Sequence, residues 1–181
     1  MSGQTTGASA RTGDNPFLKG VAFLSLLSGW TAATLIVVSV MITCQMIFVR
    51  FVLNQSTIWQ TEAVVYMMIA ATMLGLPYVQ YLRGHVNVDL IPLALPPRLR
   101  KALFFVTMLT GIAIICVMTF YSYEYWHIAW ERNWRSDTVW GVRLWIPYLA
   151  LPIGFALFVL QMIADTVAVA IGVDTPFGLE E

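Results

Sequence analysis

Charged residues are missing from four long stretches of this chain, residues 20–49, 63–82, 102–123 and 144–164. Each reaches the roughly 20 residues that a helix needs to cross about 30 Å of hydrocarbon. Backbone N–H and C=O groups in lipid must be paired within their own segment, so the pattern predicts four membrane-spanning helices and an all-α fold. Between spans one and two, residues 51–61 are apolar with Asn54, Gln55, Ser56 and Thr57 interposed. That segment is too short to cross and too apolar for a free loop. It is expected to lie in the membrane interface, anchored by Trp59. The expected organisation is a disordered tail over residues 1–15, rich in Ser, Thr and Gly, a four-span membrane domain over 16–166, and a C-terminal tail over 167–181. The first apolar run is too long for the core of a cleaved signal peptide and should remain as span one.

Composition agrees with the pattern. Of 181 residues, 59% are apolar and 11% charged, whereas soluble domains run near 45–50% and 25%. A chain this short cannot hide so much apolar surface in one soluble core, so membrane lipid is its first partner. The formal net charge is zero and no basic run occurs, which excludes nucleic acid as a partner. Arg11, Lys19, Arg83, Arg98, Arg100 and Lys101 fall on one side of a four-span chain, and Arg50, Arg132, Arg135 and Arg143 on the other. The excess puts both termini in the cytoplasm of a bacterial inner membrane.

Five of the seven tryptophans, Trp126, Trp130, Trp134, Trp140 and Trp145, fall in or beside the connection from span three to span four. Tyr123, Trp126, Trp130 and Trp134 share one face if span three continues as a helix beyond the membrane. Glu131 and Arg135 are then spaced to pair. Two compatible readings stand: an interfacial aromatic belt, or a docking face for an external protein made by Trp126, Trp130, Glu131, Trp134 and Arg135.

The spans contain no Asp, Glu, Lys, Arg or His. Pathways for ions and protons place such groups at membrane depth, so this chain alone is a poor candidate for the part that moves solute. Ser39, Thr43, Gln45, Thr72 and Gln161 are of the kind that links helices. Ser25 with Gly29, and Ala71 with Gly75, have the spacing that lets helix backbones approach. Pro77 and Pro152 sit inside apolar runs and are expected to kink them. His85 and His127 lie on opposite sides of the bilayer and cannot share a haem. Cys44 and Cys116 stand singly, with no CxxC, and are expected to be inert packing residues. No catalytic, metal or cofactor set emerges, and the chain reads as a non-enzyme.

A further order of residues runs through the chain. Gln45, Arg50 and Phe51 close span one. Trp59-Gln60-Thr61-Glu62 leads into span two, with Tyr66 one turn later and Leu74-Gly75 beyond. Arg83-Gly84-His85-Val86-Asn87-Val88-Asp89-Leu90 follows, then Leu95-Pro96-Pro97-Arg98-Leu99-Arg100, and near the end Tyr148-Leu149-Ala150-Leu151-Pro152-Ile153-Gly154. Over residues 21–163 this resembles the small membrane subunit, DctQ-like, of tripartite ATP-independent periplasmic (TRAP) transporters. Thr61, Val65 and the stretch 136–143 depart from the family's usual pattern. The resemblance implies three parts: a periplasmic binding protein that captures an organic acid, a large multispanning subunit that carries it inward with sodium ions, and this scaffold. It implies partner contacts at Arg50, Trp59, Glu62, Tyr66, Arg83, His85 and Asp89. Arg50 and Glu62 are placed to pair with each other or with the large subunit. Arg83 and His85 are placed to cap helix carbonyls, with Asp89 holding one of them. Interfacial anchoring within this subunit is the equal alternative for these residues. As a whole function, a membrane anchor for a redox complex is the rival reading, and a self-contained carrier or channel a second.

Overall fold

Four helices long and apolar enough to cross a membrane make up the chain in a computed structural model, which describes residues 15–83 and 96–176. The expected N-terminal tail lies outside these residues except for Asn15, whereas residues 167–176 of the expected C-terminal tail are described, 167–170 as a continuation of the last helix.

Helix α1 (Pro16–Phe51) opens on a strong local signal: the Asn15 side chain accepts from the Phe17 N–H at 3.1 Å, and Pro16 follows at the first helical position. Proline costs nothing there because its missing N–H would be unpaired anyway. With 36 residues α1 is about 54 Å long, well beyond the hydrocarbon thickness. Helix α2 (Gln60–Tyr81) runs through Pro77 without interruption. Helix α3 (Pro97–Glu131) has 35 residues. A short α4 (Trp145–Tyr148) leads into α5 (Ala150–Ala170). The backbone stays helical at Leu149, so the two pieces form one span. The break falls where Pro152 has no N–H to offer the carbonyl four residues back, at Tyr148.

The helices are apolar all round, as in lipid-covered elements, so their neighbours are set by small residues and a few polar ones. α1 lies along α2, α2 along α5, and α3 along α5, with a lesser contact between α1 and α5. Helix α5 is therefore the hub. A third of its most apolar stretch (33%) is buried within the chain, against 6% for α3. Two glycines make the close approaches possible. A Cβ on Gly29 would sit 2.4 Å from the ring of Tyr78, and one on Gly154 would sit 2.6 Å from the Met73 carbonyl oxygen. The α1–α2 and α2–α5 seams thus depend on bare backbone. Of the spacing pairs, Ser25 with Gly29 makes an interface on α1. On α2, Ala71 is buried, while a Cβ at Gly75 would meet nothing nearer than 3.9 Å.

Leu18, Val21, Ala164 and Ala168 form a small apolar cluster between the start of α1 and the end of α5, with Leu160 and Val167 against it. Cys44 and Cys116 are both exposed on the outside of the bundle, which corrects the expectation that they are packing residues inside it.

Candidate partner-binding surface

The two ends of the bundle carry its polar chemistry. At the end where α1 passes into α2, Glu62 stands in the first turn of α2, where a carboxylate is favoured by the helix dipole. Its Oε1 accepts from the Tyr66 hydroxyl, one turn on, at 2.5 Å, and its Oε2 accepts from the Thr138 hydroxyl at 2.5 Å. Thr138 belongs to the connection between α3 and α4, so Glu62 ties that connection to α2. The Trp59 and Trp140 rings meet at 6.2 Å and close the same joint.

That connection is a short hairpin. Ser136 N–H donates to the Val142 carbonyl at 2.9 Å and Leu144 N–H to the Trp134 carbonyl at 2.9 Å, pairing Arg135 with Arg143. Gly141, at φ 59°, donates to the Thr138 carbonyl and closes the turn, a conformation that costs glycine least.

Of the expected docking face, Trp126 and Trp130 do lie together. Their rings are 6.0 Å apart, Trp126 donates its Nε1–H to the Trp145 carbonyl at 3.1 Å, and Trp130 packs edge-on to Trp145 at 4.4 Å. Trp134 and Arg135 are not on that face. Helix α3 stops at Glu131 because Asn133 takes a left-handed conformation, φ 48°. Trp134 N–H then returns to the Ala129 carbonyl and Asn133 N–H to that of Trp130, the closed helix end known as a Schellman motif. Trp134 turns onto Tyr125, which itself meets Tyr148. Glu131 pairs with His127, one turn back, at 3.7 Å, and the expected Glu131–Arg135 pair does not form. The signal for this was Asn133, one of the few residues that tolerate the left-handed region.

Arg50 and Glu62 do not pair with each other. Arg50 Nε donates to the Thr57 hydroxyl at 2.6 Å, bracing the segment between α1 and α2. Asn54 in that segment also adopts positive φ, 49°.

At the opposite end the chemistry is buried. Ser25 of α1 donates to Gln161 Oε1 at 2.7 Å. Gln161 Nε2 donates to Asp165 Oδ1 at 2.7 Å, and Gln80 Nε2 of α2 donates to Asp165 Oδ2 at 2.8 Å. This relay through Gln161 and the Asp165 carboxylate thus links three helices. Beside it, Arg83 forms an ion pair with Asp174 and donates to the Thr175 carbonyl at 3.3 Å. The expected cap of Arg83 on carbonyls of its own helix does not form. It sits one residue past the α2 cap at φ 54° and aims at the chain beyond α5. There Gly172, at φ 77°, ends α5 with Val173 N–H bonded to the Ala168 carbonyl and Gly172 N–H to that of Val169. This second Schellman turn brings Asp174 back to Arg83. A cavity of about 30 Å³ lies among Arg83, Gln161, Asp165 and Asp174. Asp165 and Asp174 were missed as site residues; the available signals were the four-residue spacing from Gln161 for the first and the Gly172 turn for the second. His85 and Asp89 lie outside the described residues.

Among the described residues no group of three or more His, Cys, Asp or Glu is placed to hold a metal ion. An open apolar groove of about 510 Å³ runs between α3 and α5, lined by Cys116, Phe120, Tyr123, Pro152 and Val159.

The family described as "Tripartite ATP-independent periplasmic transporters, DctQ component" matches residues 39–171 of the chain. The chain is also similar to the C4-dicarboxylate TRAP transporter small permease protein DctQ of Vibrio cholerae, at 27% identity over 144 residues. That match covers 68% of this chain and 62% of the relative. Nothing in these likenesses supports the rival reading of a redox-complex anchor.

Proposed function

This chain belongs to the DctQ component family of tripartite ATP-independent periplasmic transporters, and from that premise we propose that it is the scaffold of a sodium-driven, binding-protein-dependent importer of organic acids. It holds a large multispanning transport subunit in the bacterial inner membrane and helps a periplasmic substrate-binding protein to dock. Both termini face the cytoplasm, and the hairpin end faces the periplasm. The solute is a carboxylate of the class that includes C4-dicarboxylates and sialic acids.

The observation that carries this reading is the lopsided bundle. Helix α3 leans on α5 and has only 6% of its most apolar stretch buried, and the spans lack the ionisable groups at mid-depth that solute movement uses. Such a chain offers apolar helix faces to a larger neighbour and performs no transport by itself. Contacts to that neighbour are assigned to Arg50, Trp59, Glu62, Tyr66 and Arg83, and, from the order of residues alone, to His85 and Asp89. Docking of the soluble protein is assigned to the Trp126 and Trp130 face with Glu131.

The test is a gentle detergent pull-down of the tagged chain from its native membranes, with mass spectrometry of the captured proteins. A stoichiometric multispanning partner is expected, and the two together with the binding protein should restore sodium-dependent uptake in liposomes. A lone four-span protein, or a redox enzyme in its company, would overturn the reading.

A further inference from the structure

Arg135 and Arg143 face each other across the base of the α3–α4 hairpin. The flanking bonds run from Ser136 to Val142 and from Leu144 to Trp134, so the two arginines are the non-hydrogen-bonded kind of antiparallel pair. In such pairs the Cα atoms approach to about 4.5 Å and the side chains leave the same face of the ladder. Like charges directly opposite one another destabilise a strand pair. Both arginines are exposed, and neither has an acidic partner among the described residues. The ion pairs found there join Arg83 to Asp174 and His127 to Glu131. Asp137, close by in sequence, does not pair with them, and Glu62 is engaged by Tyr66 and Thr138. The hairpin, tied to the start of α2 by Glu62 and Trp59, therefore sets two exposed arginines opposite each other with no described acid to pair with either.

We propose that this arginine pair binds the anionic headgroup of a membrane phospholipid, with the phosphate between the two guanidinium forks. Depth selects lipid over a soluble anion. Arg143 directly precedes the uncharged run of residues 144–164, and Trp145, two residues on, joins the aromatic cluster with Trp126 and Trp130. Tryptophan clusters of this kind settle at headgroup level. The pair also sits at the base of the hairpin, against the span, and not at its tip near Val139, which is 87% exposed. Arginine suits the task because its planar fork grips phosphate through two parallel N–H···O bonds.

The test is native mass spectrometry of the purified full chain, titrated in detergent with phosphatidylglycerol or phosphatidylcholine. The wild-type chain should retain phosphatidylglycerol at roughly tenfold lower concentration than phosphatidylcholine, the scale of one or two charge-assisted hydrogen bonds. The double variant Arg135→Gln/Arg143→Gln should lose that preference. Arg135→Lys/Arg143→Lys keeps the charge without the fork and should keep part of it, about threefold. Unchanged preference in the glutamine variant would overturn the proposal. So would an equal loss in Arg98→Gln/Arg100→Gln at the other end of the bundle, since that would reflect general attraction of cations for anionic lipid. If the glutamine variant retained phosphatidylglycerol but no longer captured an acidic soluble protein, the anion would be a protein carboxylate, and the proposal would again fall. Circular dichroism of each variant separates these outcomes from misfolding.

Discussion

The two ends of the bundle solve one problem, joining apolar helices, in opposite ways. At the hairpin end the joints are half-exposed: Glu62 reaches Tyr66 and Thr138, and Trp130 meets Trp145 edge-on. At the other end Ser25 and Gln161 are 2% and 3% exposed, and they lead to an Asp165 carboxylate shared by two amide side chains. A hydrogen bond beside water is replaced by water when it breaks. One inside the bundle leaves its partners stranded. The buried end should therefore be stiff and costly to disturb, and the hairpin end adaptable, as suits a surface that meets other molecules.

Asp165→Ala should break the buried end most severely. It leaves the Gln80 and Gln161 amides without an acceptor, and a loss of about 1–3 kcal/mol is expected on reversible unfolding in detergent. Asp174→Asn comes next, weakening the Arg83 pair by about 1–2 kcal/mol while retaining shape. Added salt should change neither loss much, because buried pairs are poorly screened. Glu62→Gln, at the hairpin end, should cost less, about 0.5–1 kcal/mol. Its effect should show chiefly as faster hydrogen exchange over residues 134–144, whose clamp to α2 loosens. Trp130→Leu should be the mildest for stability, about 0.5 kcal/mol from the lost ring contact. If Trp130→Leu destabilised the chain as much as Asp165→Ala, the contrast between the ends would be wrong.

Much of this was legible in the sequence because hydrocarbon imposes a blunt rule: charges stop where lipid begins. The four spans and the all-α class followed from that rule alone, and the order of residues from Gln45 to Gly154 pointed to the family. Which helices touch was less legible. Apolar residues surround each span, so periodicity gives no direction for the inward face, and only polar or missing side chains mark it. Gln161 was recognised as a linker of helices, and its four-residue spacing to Asp165 marks that pair, yet nothing in the sequence named Ser25 as its partner on α1. Asp165 read as a residue at the membrane edge, whereas the α1 and α2 contacts enclose it. The α3 extension was read one turn too far, because the three-and-four spacing of Tyr123, Trp126, Trp130 and Trp134 outweighed the left-handed preference of Asn133. That misreading put Trp134 and Arg135 on a helix face, when their hairpin pairing produces the juxtaposed arginines.

The position of α5 as hub also has a consequence for biogenesis. Its neighbours α1, α2 and α3 all precede it in the chain. While the protein is being synthesised, α1 and α2 can pair as soon as both are inserted. Helix α3, whose main partner is α5, must wait several seconds at roughly 5–20 residues per second. During that interval the half-made bundle carries one span with no neighbour of its own. Quality control that removes orphan spans would act there, and a ribosome stalled in the α3–α4 hairpin would leave its product most open to it.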